Sequence, residues 1–318
     1  MKKIALQSTR DGFGKALVEL GKKNKDVVVL CADVAESTRT HWFAEKYPER
    51  FIEMGVQEQN MIGVAAGLAM EGKIPFATAY AVFSPGRTWD QVRVSVCYSK
   101  LNVKIIGCHT GMTVGADGAT HQALEDIALM RVLPNMTVIV PCDEHEAYQA
   151  TIAASKHTGP VYIRLTRENT PVMTSPKSVF EIGKASFLKQ GSDVTVIGAG
   201  PILYQVMRAV HEMEKEYGVH IQVMNMSTIK PIDTDALMQA ARTTGAFVTV
   251  EDHQKIGGLG SAVAEFCARA YPIPIEMVGM NDTFGESGPA DALIEMYHLD
   301  SSAIVSALRS VLKRKKRT

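Results

Sequence analysis

Residues 103–132 decide the fold class, because they place a buried strand, a polar loop and a helix in succession: VKIIGC (103–108), HTGMTVGADGATH (109–121) and QALEDIALMRV (122–132). The first part is a short apolar run, the pattern of a strand that helices cover on both faces. Residues 121–132 have the spacing of a helix with one apolar face. Strand, connection and helix are the unit from which parallel α/β sheets are built.

The same alternation extends through the first half of the chain. Besides 103–108, strands are predicted at 27–32, 74–79, 137–141 and 161–165. Helices are predicted at 58–70, 86–99, 121–132 and 143–156. We expect a mostly parallel sheet with helices on both faces.

The alternation of predicted strands and helices stops at 171–191, a segment rich in Pro, Ser and Gly, and resumes after it. Strands are predicted at 194–199, 220–225, 246–251 and 275–279, and helices at 202–217, 233–242, 260–270, 289–296 and 301–313. Asp300 stands where the N-cap of the last helix is expected. The sequence therefore predicts an α/β protein of two domains, 1–170 and 192–318, joined by a linker at 171–191.

Composition excludes several classes of protein. The 318 residues contain 34 basic and 34 acidic side chains, so no net charge draws the chain to nucleic acid or acidic lipid. No run reaches the roughly 18 apolar residues of a membrane span, and the start of the chain lacks a secretory signal. The basic run at 313–317 is interpreted as a solvated helix end. We expect neither a nucleic-acid nor a membrane partner.

The five cysteines are widely spaced and form no Cys-x-x-Cys motif. Most lie in apolar, strand-like runs, which predicts reduced, buried thiols and a cytoplasmic location, without a structural zinc. Two glycine-rich segments, 198–201 and 257–261, each follow a strand and open a helix. We interpret both as tight turns, although the helix N–H groups after 257–261 are candidates for a partner or an anion.

Two segments place polar residues directly beside apolar runs, and these residues are candidates for chemistry. Glu58 opens an apolar helix, where it is either buried or a surface carboxylate that the helix dipole stabilises. His109, Asp117 and His121 lie on the loop after a buried strand, where ligands of open α/β sheets bind. They are candidates for acid–base chemistry, zinc binding or a plain turn, and their spacing disfavours zinc.

At these segments the sequence resembles the C-terminal half of transketolase, a thiamine-diphosphate enzyme. The matching motifs occur in the family's order: GVQEQNM (55–61), GADGATHQALED (115–126), VTVIGAG (194–200), TIKPID (228–233) and VEDHQKIGGLGSAVAE (250–265). The resemblance covers nearly the whole chain and implies a pyrimidine-binding domain followed by the transketolase C-terminal domain.

The family's diphosphate-binding motif, Gly-Asp-Gly followed by an Asn, has no counterpart in this sequence, which begins where the family's second domain begins. The resemblance therefore implies the second subunit of a split transketolase, or a fragment of a longer one. An N-terminal partner subunit would hold the diphosphate and most of the Mg²⁺ shell, while this chain would supply no metal ligand. It also implies a symmetric heterotetramer, and the helix at 58–70 lies either at its subunit boundary or in the core of the chain itself, which is the simpler account.

The resemblance assigns the cofactor residues. It implies that Glu58 shares a proton with N1′ of the aminopyrimidine, and that Tyr80 and Phe83 form the aromatic wall around that ring. One extra residue between Phe83 and Arg93 leaves the stacking aromatic open among Tyr80, Phe83 and Trp89. Asp33 would help to orient the cofactor.

The resemblance also assigns substrate residues. Sugar-phosphate contacts would come from Arg10, Ser37, His109 and Arg167. Asp117 would accept a hydrogen bond from a hydroxyl of the donor sugar, and His121 would be an acid–base group near the reacting hydroxyls. Glu58, His109 and His121 are thus the catalytic candidates.

The implied function is transfer of a two-carbon ketol unit from a ketose phosphate to an aldose phosphate, as in the pentose phosphate pathway. A deoxyxylulose-phosphate synthase or a 2-oxoacid dehydrogenase β-subunit is an alternative of the same class. A noncatalytic scaffold or regulatory module that keeps the fold is an alternative of another class.

Overall fold

The computed structural model describes residues 5–316. Met1–Ile4, from the start that we analysed for a secretory signal, lie outside the described residues, as do Arg317, at the end of the basic run, and Thr318. Within the described part, no helix is both long and apolar enough to cross a membrane. All five cysteines are buried free thiols, as predicted.

Strands and helices alternate along the described chain. The strands are Leu6–Gln7 (β1), Val27–Cys31 (β2), Phe51–Glu53 (β3), Ile74–Ala79 (β4), Lys104–Cys108 (β5), Thr137–Ile139 (β6), Val161–Leu165 (β7), Thr170–Pro171 (β8), Ser186–Lys189 (β9), Val194–Gly198 (β10), Ile221–Asn225 (β11), Thr228–Lys230 (β12), Phe247–Gln254 (β13) and Ile275–Met280 (β14). The helices are Thr9–Lys23 (α1), Ala35–Thr38 (α2), His41–Lys46 (α3), Glu58–Met70 (α4), Trp89–Gln91 (α5), Asp126–Arg131 (α6), Glu144–Lys156 (α7), Leu203–Tyr217 (α8), Thr234–Thr244 (α9), Leu259–Ala270 (α10), Ala290–Met296 (α11) and Ser301–Lys315 (α12).

Two mostly parallel sheets carry the fold. The first has seven strands in the order β12-β6-β7-β5-β4-β2-β3, with only β12 antiparallel to its neighbour. The second has five strands in the order β14-β13-β10-β11-β9, with only β9 antiparallel. Helices flank both sheets, and the predicted two-domain α/β fold class is confirmed.

The two halves of the chain are tightly joined. β12 comes from the second half, yet it pairs with β6 at the edge of the first sheet. The largest buried apolar cluster contains Ala77 and Ile105 of the first sheet together with Phe247 and Leu259 of the second half. The site on the first sheet is therefore held by a core that both halves share.

Helix α1 lies outside every predicted helix, because its three glycines weaken the helical pattern. The structure explains the glycines by close packing. A Cβ at Gly12 would lie 2.0 Å from the carbonyl oxygen of Glu144 on α7, and one at Gly21 would lie 2.4 Å from the Tyr47 ring. These close contacts, which only glycine permits, therefore outweigh the low helix propensity of glycine in α1.

Two predicted helices and the linker differ from the structure. The region 86–99 is not one α-helix, since π-helical segments surround α5 and Pro85 follows an extended Ser84 at the start of the region. The predicted helix 121–132 shortens to α6, because residues 121–125 form turns against the second half. The segment 171–191 contains β9, which pairs with β11. The predicted cap is confirmed: Asp300 accepts from the N–H of Ala303 at the start of α12.

Candidate active site

The candidate residues gather at the carboxyl ends of four neighbouring strands, in the order β7-β5-β4-β2. Arg167 follows β7, His109 follows β5, Tyr80 follows β4 and Ser37 follows β2. Parallel strands bring their carboxyl ends to one edge of the sheet, so residues distant in sequence become neighbours there.

Arg10, on α1, joins two of these strand ends. Its Nη1 donates to the carbonyl oxygen of Ser37 at 2.7 Å and lies 3.2 Å from Nε2 of His109. The Tyr80 hydroxyl donates to Oγ of Ser37 at 3.1 Å. Helix α1, which was not predicted from the sequence, thus places the Arg10 guanidinium in the candidate site.

His109 is a neutral imidazole in this environment. Only 4 % of its surface is exposed, and burial, together with the charge of Arg10, lowers its pKa to about 4. Nε2 of His109 lies 3.2 Å from Nη1 of Arg10, which can only donate, and 3.3 Å from the carbonyl oxygen of Ser37, which can only accept, so the ring tautomer decides which of the two contacts is a hydrogen bond. At neutral pH the residue binds and orients rather than carrying charge.

The pH dependence of unfolding should report this burial. Between pH 6.5 and about 4 the unfolded state binds more protons at His109 than the folded state, so the free energy of unfolding falls as pH decreases. The slope from one such group is at most about 1.4 kcal/mol per pH unit. His109→Gln should flatten the slope in urea unfolding measured across this range.

Exposed His220 is the matched control, and His220→Gln should keep the wild-type slope. His253 is fully buried with its pKa also lowered to about 4, so part of the slope will remain in both variants. A slope in His109→Gln equal to that of wild type would contradict the assignment.

Four rings form an aromatic cluster beside this network. The ring centroid of Tyr80 lies 4.9 Å from that of His109 and 6.5 Å from that of Phe83. His121 stands edge-on to Phe83 at 5.5 Å, and its Nδ1 is 2.9 Å from Oγ1 of Thr120. Tyr80, Phe83 and His121 therefore share one surface, while the indole N–H of Trp89 points away to the Leu129 carbonyl.

Asp117 and Arg167 form an ion pair at the open side of the cluster. Nη1 of Arg167 lies 3.2 Å from Oδ2 of Asp117 and donates to the carbonyl oxygen of Val114 at 3.1 Å. Both side chains are more than a third exposed, so water competes with the pair. The Arg167 guanidinium is therefore available to a stronger anionic ligand such as phosphate.

Glu58 is buried, which rules out the surface interpretation. Its side chain is 3 % exposed at the first position of α4, and its Oε2 accepts from Nη1 of Arg87 at 2.8 Å. The guanidinium of Arg87 also lies over the Phe83 ring, 4.7 Å from the centroid. Sequence reasoning missed Arg87, because the extended Ser84 and Pro85 lie between it and Phe83 and remove the regular helical spacing that would pair the two side chains.

Asp33 lies apart from the residues above. It is exposed with a left-handed φ of 58°, and its backbone N–H donates to Oε1 of Glu53 at 2.7 Å. The same carboxylate oxygen accepts from the N–H of Gly55. The contacts among residues 5–316 thus fix the backbone of Asp33 beside the strand end but do not join it to the cluster.

The glycine turn at 257–261 has an internal partner. The N–H groups of Leu259 and Gly260, at the start of α10, donate to the Glu251 carboxylate at 2.7 and 2.8 Å. A Cβ at Gly258 would lie 2.0 Å from that carboxylate. These N–H groups are satisfied inside the chain, so the turn interpretation is preferred over an anion or partner site.

Comparison with known families accounts for this architecture. Residues 6–173 match the family model described as transketolase, pyrimidine binding domain, and residues 183–304 match transketolase, C-terminal domain. These matches define a two-domain α/β protein that begins with a pyrimidine-binding domain. The chain belongs to the transketolase family, whose members use thiamine diphosphate.

Three similar proteins align with this chain along nearly their whole lengths. A putative transketolase C-terminal section of Methanocaldococcus jannaschii is 45 % identical, with 96 % of each chain aligned. A 6-deoxy-6-sulfo-D-fructose transketolase subunit of a Clostridium species is 41 % identical over 96 % of this chain and 95 % of its own. A structure described as a split gene transketolase, inactive beta4 tetramer, superimposes with a TM-score of 0.91 at 50 % identity, covering 97 % of this chain and 99 % of its own.

Proposed function

We propose that this chain is the C-terminal subunit of a two-chain transketolase, which moves a two-carbon ketol unit from a ketose phosphate to an aldose phosphate. The observation that carries the proposal is the buried carboxylate of Glu58. It contacts Arg87, which stacks on Phe83 in the aromatic cluster beside the Arg10–His109 network. We place the domains at 1–170 and 192–318 with the connection at 171–191, which the two family matches support.

The Glu58 pocket fits the aminopyrimidine of thiamine diphosphate. Arg87 shows that a planar group with N–H donors can contact the Glu58 carboxylate and the face of Phe83 at once. In the proposed enzyme Arg87 moves aside, Glu58 holds the proton at N1′, and Phe83 and Tyr80 exclude water from the ring. When bound, thiamine diphosphate supplies the electron sink for carbon–carbon bond cleavage.

The remaining cluster fits an anionic sugar. In the proposed complex Arg10 and Arg167 bind the phosphate through charge-assisted hydrogen bonds, and Ser37 and His109 complete its shell. Asp117 exchanges its bond with Arg167 for a bond from the donor's C3 hydroxyl, next to the C2 carbonyl of the ketose. His121, beside Phe83, exchanges protons with the reacting hydroxyls. Asp33, which follows the end of β2, helps to orient the cofactor.

We infer that an N-terminal partner subunit binds the diphosphate and Mg²⁺. The sequence lacks the family's Gly-Asp-Gly motif for that task. The relatives described as a C-terminal section and as a subunit align along nearly their whole lengths, which supports the same division of labour here.

Donor choice tests the function. The chain, its proposed partner, thiamine diphosphate and Mg²⁺ should convert xylulose 5-phosphate and an aldose phosphate into a ketose two carbons longer than the acceptor. Turnover of pyruvate instead would favour the synthase or dehydrogenase alternative. Cofactor binding without any turnover would favour the noncatalytic module.

A sulfonated sugar is a second candidate donor, because one relative is named for 6-deoxy-6-sulfo-D-fructose. A sulfonate, like a phosphate, presents several oxygens to the paired guanidiniums of Arg10 and Arg167. The donor with the higher kcat/KM in parallel assays identifies the physiological class of ligand.

We further propose that α4 forms a boundary in a symmetric assembly. Its outer side exposes Gly63, Gly67 and Met70, and a Cβ at Gly63 would meet no atom within 4 Å. Gly63→Arg should therefore fold normally and lower the oligomeric state in analytical ultracentrifugation. Thr243→Arg adds the same charge at an exposed site on α9 and should assemble like wild type. Unchanged assembly of Gly63→Arg would contradict the boundary.

A further inference from the structure

The loop that carries His109 and Asp117 is anchored to the second half of the chain. Oδ1 of Asp252, on β13, accepts from the backbone N–H of Met112 at 2.9 Å. The neighbouring Gly111 has a φ of 74°, and a Cβ there would lie 1.9 Å from Oδ2 of Asp252. Glycine at 111 thus allows the carboxylate to reach the loop backbone three residues after His109.

The anchor itself is rigid. Asp252 is 6 % exposed, and Nη2 of Arg164 donates to its carbonyl oxygen at 2.8 Å. The same nitrogen donates to the carbonyl oxygen of Ala123, and Nε of Arg164 bonds Oδ2 of Asp126 at 2.9 Å. Arg164 therefore connects β7, β13 and the far end of the loop in one buried network.

A second contact restrains the other end of the loop. Gly118 has a φ of 75°, and a Cβ there would lie 2.4 Å from Oγ of Ser287. Nε2 of Gln122 donates to the carbonyl oxygen of Glu286 at 3.0 Å and lies 3.4 Å from that of Gly115. Residues 285–288 of the second half therefore form a wall against which residues 115–122 rest.

We propose that Asp252 is a positioning residue for the substrate loop: its bond to the Met112 N–H fixes the loop so that His109 and Asp117 meet the sugar phosphate together. This inference rests on the proposed function. It gives the C-terminal domain a task in substrate recognition, although none of the proposed site residues lies in that domain. Without the carboxylate, the buried Met112 N–H loses its acceptor and the loop relaxes.

The test uses the reconstituted two-chain enzyme with Asp252→Ala and Asp252→Asn. Asp252→Ala should raise the KM for the phosphorylated ketose about tenfold or more, the cost of one unsatisfied buried donor. The kcat should change much less, because the second contact with residues 285–288 still holds His121, and thiamine diphosphate affinity should not change, because Glu58 and Phe83 lie outside the loop. Asp252→Asn, which retains an oxygen acceptor, should recover most of the loss. Asp235→Ala, which changes an exposed side chain on α9, is the matched control.

Hydrogen exchange on this chain alone separates the inference from the proposed function. Asp252→Ala should speed exchange of the 109–118 amides, whatever the enzyme's activity. If Asp252→Ala does not fold, Gly111→Ala should produce the same signature, since its Cβ pushes the loop off the carboxylate. Unchanged exchange, or faster exchange with an unchanged KM, would overturn the proposal. An inactive wild-type complex with the expected exchange pattern would refute the function only.

Discussion

Glu58→Gln should lower the kcat of the reconstituted enzyme by about three orders of magnitude, within the range for loss of a positioned acid–base group. Glutamine keeps the size of the side chain and an oxygen for Arg87, so the pocket should stay intact. It removes the carboxyl proton that the proposed mechanism exchanges at N1′. Steady-state assays with saturating cofactor, and proton exchange at thiazolium C2 followed by NMR, measure the loss.

The control for this experiment lies directly after the same helix. Glu71 is an exposed carboxylate at the other end of α4, and Glu71→Gln should keep activity within about twofold, as surface substitutions usually do. Circular dichroism should be the same for both variants. A Glu58→Gln enzyme with near-wild-type exchange and turnover would remove Glu58 from the mechanism.

Substitution of the paired guanidiniums should impair recognition of phosphorylated donors selectively. One charge-assisted hydrogen bond contributes roughly 1.5–3 kcal/mol, so Arg10→Gln or Arg167→Gln should lower kcat/KM for xylulose 5-phosphate by about 10- to 100-fold. Activity on the same ketose without its phosphate should hardly change. Arg10→Gln should have the larger effect, since Arg10 also bonds Ser37 and His109.

Arg309→Gln is the control, because Arg309 is exposed on α12 and stacks on Tyr217 far from the strand ends that form the site. Its kinetics should match wild type with both donors. Equal losses with phosphorylated and phosphate-free ketoses in the Arg10 and Arg167 variants would mean that these residues shape the site without binding phosphate.

The location of the site could be predicted because it depends on local pattern. The apolar runs that became β2, β4, β5 and β7 are read directly from the sequence, and the polar residues that follow each run must meet at one edge of a parallel sheet. Glu58 could also be singled out from the local pattern, because it is an acidic residue at the start of an apolar helix. Its burial could not be predicted, because it depends on contacts outside α4.

The parts that escaped prediction depend on contacts between distant residues. The α1 glycines look unfavourable until α7 is packed against them, and β12 joins the first sheet only through the shared core. Asp252 acts on a backbone N–H 140 residues away, so no spacing rule connects them. Arg87 likewise had no local signal, because Ser84 and Pro85 interrupt the helical spacing between it and Phe83.

The central claim is that this chain supplies Glu58 and the aminopyrimidine-binding part of the active site, and that a second polypeptide supplies the part that binds the diphosphate and Mg²⁺. The most direct measurement titrates the proposed partner into a fixed amount of this chain, with thiamine diphosphate, Mg²⁺ and xylulose 5-phosphate present, and records ketol transfer. Activity should be absent without partner, rise in proportion to it and level off at an equimolar ratio. Full activity of this chain alone, or no activity at any ratio with a folded, cofactor-binding partner, would contradict the claim.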